Sequence, residues 1–276
     1  MIYSLLKVRL LCFKNKLSKK DLVLYSFAII LPIFIFQSSK VFLSELFSHP
    51  NFEETIIKNM ISYMHLAFCL MLTSAAILSS LSNLYSSKDM SLLKVLPISK
   101  AKLLIYKFIN LIVESSWMIL LFFIPLITSC LILKNSNIIS YIHSLLAVLL
   151  LITLSCSLAV IISNILVKKL GIKNAIEIII FTLSCSVIYF VIFTNVTNPE
   201  ITNNKDTVKE FISLFSKSYH KSYLPHSLCS EVLIKSLESK KSYFSIFLLL
   251  IQNLVVFSFA YISSVSYTHL TLPTKA

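Results

Sequence analysis

Apolar positions along this chain fall into six long runs separated by lysine-rich segments: Leu22–Gln37, Met60–Leu81, Phe108–Leu133, Ile138–Val167, Ala175–Val196 and Tyr243–Ser264. An α-helix rises about 1.5 Å per residue, so some 20 apolar residues cover a hydrocarbon layer about 30 Å thick. The runs therefore predict an all-α, polytopic integral membrane protein with about six transmembrane helices. The first run is short unless its helix continues through Val41 to Phe47 with Lys40 reaching back to the interface. The fourth is long enough to tilt or project. Ser155, Ala159 and Ser163 recur every four residues, as do the pairs Ala75/Ser79 and Ala76/Ser80. Such faces let helix backbones approach closely, although each serine can equally bond back to its own helix. Gly171, just after the fourth run, suits a helix-ending left-handed position.

Charge changes the picture by orienting these helices. The net charge of +13 comes from 24 lysines and Arg9, against a charged fraction of 13% and a mean hydropathy of +0.84. With the N-terminus cytoplasmic, the short inner segments 1–21, 82–107 and 168–174 hold fourteen basic residues, and the short outer segments 38–59 and 134–137 hold three. Lysine and arginine collect on the inner side of short loops, so a cytoplasmic N-terminus and a multi-pass location in the cytoplasmic membrane are expected. The basic residues then point to anionic lipid, not nucleic acid. Three segments follow: a basic N-terminal segment (1–21), a six-span domain (22–264) and a tail (265–276) whose threonine-rich composition reads as non-native. The six cysteines have no CxxC spacing and read as small apolar residues, with no metal or cofactor implied. Gly171 is the only glycine. A Walker A loop needs two and a dinucleotide fingerprint needs three, so no catalytic residue and no nucleotide-binding motif of the chain's own is expected.

The most informative polar stretch is Leu84-Tyr85-Ser86-Ser87-Lys88-Asp89-Met90-Ser91-Leu92-Leu93-Lys94-Val95-Leu96-Pro97-Ile98-Ser99. Ser87 or Asp89 can cap a short helix that Pro97 ends, and Ser99 can cap a second helix leading into the third run. The result over 84–107 is a helix–proline–helix elbow along the cytoplasmic side, suited either to a lever or to a basic connector resting on lipid. This pattern resembles the permease subunits of bacterial ABC exporters of the type-2 export class. Tyr223-Leu224-Pro225 resembles a later stretch of the same family. The resemblance implies an ATP-driven exporter in which Asp89, Leu93, Lys94, Pro97 and Ser99 form the surface that couples to a separate ABC-type ATPase subunit. It also implies a second permease unit as partner.

Glu114 lies about 10 Å into the third run by helical rise. An ionisable group near mid-span costs about 2.5–3.5 kcal/mol on insertion scales, so Glu114 is a candidate intramembrane functional residue, or else an interfacial acid with a lysine neighbour. In the alternative reading, a nucleotide-independent secondary transporter or channel, it would be the proton or ion site. Glu177 is expected to pair with Lys173, and His65 reads as a hydrogen-bonded core histidine. The pair Glu53-Glu54 lacks the arginine and histidine motifs that an intramembrane CAAX-type protease would need. In the outer loop 197–242, Val208, Phe211, Ile212 and Phe215 predict one amphipathic helix. Leu228, Val232, Leu233 and Leu237 predict a second, both lying on the outer leaflet or capping the path.

Overall fold

The computed structural model describes residues 19–48, 54–86, 100–196 and 223–270. Among these, every regular element is helical. In chain order they are α1 (Lys19–Ser48), α2 (Glu54–Ser80), α3 (Lys100–Met118), α4 (Ile124–Leu133), α5 (Ile138–Val196), α6 (Pro225–Leu237) and α7 (Tyr243–Leu270). Two π-helical turns, Leu81–Ser86 and Ile119–Phe123, extend α2 and join α3 to α4. Five stretches among the described residues are long and apolar enough to cross a membrane: Ala28–Ser48, Ile56–Tyr85, Ala101–Leu133, Ile138–Gly171 and Tyr243–Ser264. The described residues are thus all-α, with helices of span length at five of the six expected runs. The remaining run, Ala175–Val196, is helical along its backbone as the second half of α5.

Helix α5 is the axis of the bundle. Of its most apolar stretch 61% is buried, against 6% for α1, and α2, α6 and α7 pack around it. Its small-residue face makes this possible. Ser155, Ala159 and Ser163 are each 0% exposed, so neighbouring backbones come close where glycine would otherwise be needed. On α2, Ala76 and Ser80 are the fully buried pair, whereas Ala75 and Ser79 are half-buried. Asn253 fastens α7 to α5: its Oδ1 accepts from Thr153 Oγ1 at 2.7 Å, and its Nδ2 donates to the Leu150 carbonyl at 2.9 Å. Helix α1 is peripheral and leans on α4, where Ser39 Oγ donates to Ser129 Oγ at 3.0 Å. It runs to Ser48, the longer of the two expected forms, with Lys40 exposed.

Three features differ from the sequence expectation, each for a local reason. The third run is not one regular helix. Pro125 has no N–H to give to the preceding turn and its ring crowds the carbonyl four residues back. The widened turn Ile119–Phe123 sits immediately before α4 and accommodates this. Secondly, the backbone at Gly171 takes φ 77°, ψ 167°. That is the extended positive-φ region open essentially to glycine alone, not the left-handed helical well, and it breaks α5 without a loop. Thirdly, α6 does not lie on a surface: eight of its 13 residues are buried. It is enclosed by α2, α5 and α7, because Ser227, Ser230 and Ser236 let the polar side of the helix be covered as well as the apolar one. The N-terminal residues 1–18, the elbow residues 87–99, Glu53 and the outer segment holding Val208, Phe211, Ile212 and Phe215 lie outside the described residues.

Candidate functional site

Side-chain hydrogen bonds between helices meet at the end of α2. Leu81–Ser86 forms a π turn, a geometry frequent at functional sites because the extra residue re-aims side chains. Here it turns two polar groups towards neighbouring helices. Asn83 Nδ2 donates to Glu114 Oε2 on α3. Tyr85 Oη donates to Asn164 Oδ1 on α5. Asn164 Nδ2 in turn donates to Ser263 Oγ at 2.9 Å and Ser264 Oγ at 3.1 Å on α7. Hydrogen bonds from this turn and from Asn164 therefore tie α2 to α3 and α5, and α5 to α7. Lys107 (4% exposed) and Asn110 (4% exposed) lie on α3, on the N-terminal side of Glu114.

Glu114 is half-buried and belongs to this network, where it accepts a hydrogen bond from Asn83 of the neighbouring helix. Asn83 is the partner that sequence reasoning missed; its signal was a lone amide just past an apolar run. The expected coupling residues Asp89, Leu93, Lys94, Pro97 and Ser99 lie outside the described residues, as does the central part, 87–99, of the elbow expected over 84–107. Glu177 is exposed, and the side chain of its expected partner Lys173 is outside the description. His65 is fully buried, donates from Nδ1 to the Ile61 carbonyl at 2.8 Å and meets the Phe123 ring edge-on at 4.9 Å. Cys130, Cys156 and Cys229 are buried free thiols. No group of three or more metal-ligating side chains is placed to hold an ion among the described residues.

The opposite end of the bundle is held by charge. Lys58 Nζ on α2 meets Glu238 Oε1 at 2.7 Å, and Lys240 Nζ meets its Oε2 at 2.7 Å. Hydrogen bonds from Lys240 and Lys58, in that order, hold the Glu238 carboxyl down to about 2. Burial keeps His226, near the start of α6, below the usual imidazole range. Ser140 and Ser136 cap the end of α6 through the Ser236 carbonyl, at 3.3 and 3.4 Å.

Against this geometry, a protein-family match covers residues 17–269 and is described as "Putative ATP-binding cassette". The chain belongs to this family. No curated protein and no solved structure matches it. The family assignment corrects three expectations. The resemblance to exporter permease subunits pointed to a different component, since the matching family is described by its ATP-binding cassette. The function drawn from that resemblance, a permease driven by a separate ATPase docked on the elbow, falls with it, and the secondary-transporter alternative gains no support. The third is the expectation of a transport subunit without a nucleotide-binding motif. It rested on counting glycines for two phosphate loops, and that count excludes those loops only. Phosphate can also be held by lysine side chains and helix N-termini, which leave no glycine pattern to read.

Proposed function

We propose that the chain is a membrane-embedded member of an ATP-binding-cassette transport system and that its helical bundle is the part on which nucleotide acts. One observation carries this reading. The family match extends from residue 17 to residue 269 and so takes in all five span-length helices. The stretch that matches the family is thus the stretch that forms the bundle. In this reading the protein sits in the cytoplasmic membrane with its N-terminus inside, Ala175–Val196 crosses as a sixth span, and the layer of Asn83, Tyr85, Glu114 and Asn164 lies near the inner face. The distribution of basic residues over the short loops supports that orientation.

The polar layer is where a change in helix packing would be felt. Its hydrogen bonds run between helices, and in a membrane such bonds are worth about 0.6 kcal/mol each on average. They are strong enough to set one arrangement and weak enough to exchange for another. Inside-out membrane vesicles carrying Ser263→Cys provide the test, with labelling by a water-soluble thiol reagent compared with the unsubstituted chain. The expected result is a labelling rate that changes by about fivefold or more when ATP and magnesium are added, the size of an ordinary coupling between sites. Equal rates with ATP, with ADP and without nucleotide would overturn the proposal.

A further inference from the structure

The peripheral helix α1 carries polar side chains on the face it turns away from the bundle. Phe34, Gln37, Val41, Ser44 and Ser48 recur at alternating spacings of three and four residues and so share one face. All five are exposed. Ser39, bonded to α4, and the buried Leu46 lie on the opposite face. Lys40 flanks the exposed line on one side and Glu45 on the other. Both are exposed and stand outside the ion pairs given above.

Depth makes this face costly to leave against lipid. Gln37 is at the middle of the span-length stretch Ala28–Ser48. Phe47 marks the outer level, because Lys134 Nζ, just past the end of α4, lies 4.8 Å from its ring centre. Counting back at about 1.5 Å per residue puts Lys40 about 10 Å and Gln37 about 15 Å below that level. A lysine can extend towards the interface from there, but a glutamine is too short. Polar side chains at such depth face protein or a water-filled cavity, and an amide is satisfied by bonding across to another helix.

We propose that this face of α1 is the contact between two copies of the chain, with the two α1 helices side by side and parallel about a two-fold axis normal to the membrane. This rests on the membrane-embedded reading above. Copies inserted the same way bring their α1 helices together in register, and the three–four spacing supplies the seam. Gln37 then meets the second copy's Gln37, and an amide both donates and accepts. Flanking residues pair across a parallel seam about five positions apart, so Lys40 of each copy meets Glu45 of the other. The charges are self-complementary, as a two-fold interface requires, and this favours a second copy over an unrelated helix.

Disulfide cross-linking of the full chain in its membranes, with copper phenanthroline as catalyst, is the test, each variant being compared with the unsubstituted chain. Val41→Cys and Ser44→Cys should each give a product of twice the chain mass. Phe42→Cys, exposed but off the seam, should give about tenfold less. In the Val41→Cys background, Lys40→Glu or Glu45→Lys should slow linking about fivefold, because each sets like charges opposite one another. The two exchanges together should restore the rate, a rescue that a merely misfolded variant would not show.

Equal linking at all three positions, no linking, or single exchanges without effect would overturn the proposal. A linked product of another mass would assign the face to a different protein and overturn the second copy. Rapid labelling of Gln37→Cys by a water-soluble maleimide would assign it to a water-filled path, with the same consequence. Alkaline carbonate extraction separates the two readings. A chain released from membranes contradicts the membrane reading itself, whereas one that stays but does not link contradicts only the pairing.

Discussion

Glu238 shows how one side chain ties the ends of three segments together. It follows α6, and its two oxygens meet Lys58 at the start of α2 and Lys240 in the link to α7. Its folded pKa, about 2, lies below the ordinary value of 4.5. A carboxyl lowered in the folded state stabilises fully above its unfolded pKa, and that contribution disappears as pH falls through the folded value. Stability in detergent should therefore decline between pH about 4.5 and about 2, and Glu238→Gln should flatten the decline while lowering stability at neutral pH. Thermal unfolding of both proteins across that range checks this; parallel curves would show that the ion pairs contribute nothing. Residue-scale pairings of this kind were not legible in the sequence. Lys58 and Glu238 are far apart along the chain, as are Asn83 and Glu114, and only the packing of helices makes them neighbours. What was legible was the cost of placing Glu114 in an apolar run, which marked it as a candidate functional residue or an interfacial acid beside a lysine.

At the scale of elements, the apolar runs marked the helices well because hydrophobic length and helical rise leave little freedom in a membrane. Interruptions were harder to place. Pro125 was visible as a residue, but the π turn that accommodates it depends on how the preceding helix is held by Phe123, which is 0% exposed and packs on His65 and Phe68. For α6, the period of Leu228, Val232, Leu233 and Leu237 marked an apolar face expected at the membrane surface or over the path. The first three are 2% exposed or less and Leu237 is half-buried. A period says which residues share a face and not how many neighbours cover the rest, so the enclosure by three helices came only from the structure. Gly171 offers a clean test of element geometry. A Cβ added there would meet nothing within 4 Å, so any effect of Gly171→Ala comes from the backbone. With φ at 77° and ψ at 167°, the substitution should cost about 1–3 kcal/mol, read as a lower unfolding midpoint in micelles. An unchanged midpoint would mean that the break in α5 relaxes into ordinary helical geometry.

For the whole molecule, the surface repeats what the composition announced. Ile33, Phe34, Leu149, Phe247, Leu254 and Phe259 are all more than half exposed, on helices long enough to span a bilayer. An apolar surface of this extent suits lipid far better than water. In the proposed topology the bundle crosses the membrane six times, with the polar layer and residues 87–99 on the inner side and the Lys58–Glu238–Lys240 cluster on the outer side. Cysteine labelling of intact cells with a membrane-impermeant reagent tests that arrangement most directly. Lys241→Cys should react from outside, and Lys94→Cys should react only after the membrane is opened, each measured against the unsubstituted chain. Reaction of both positions from the same side would contradict it.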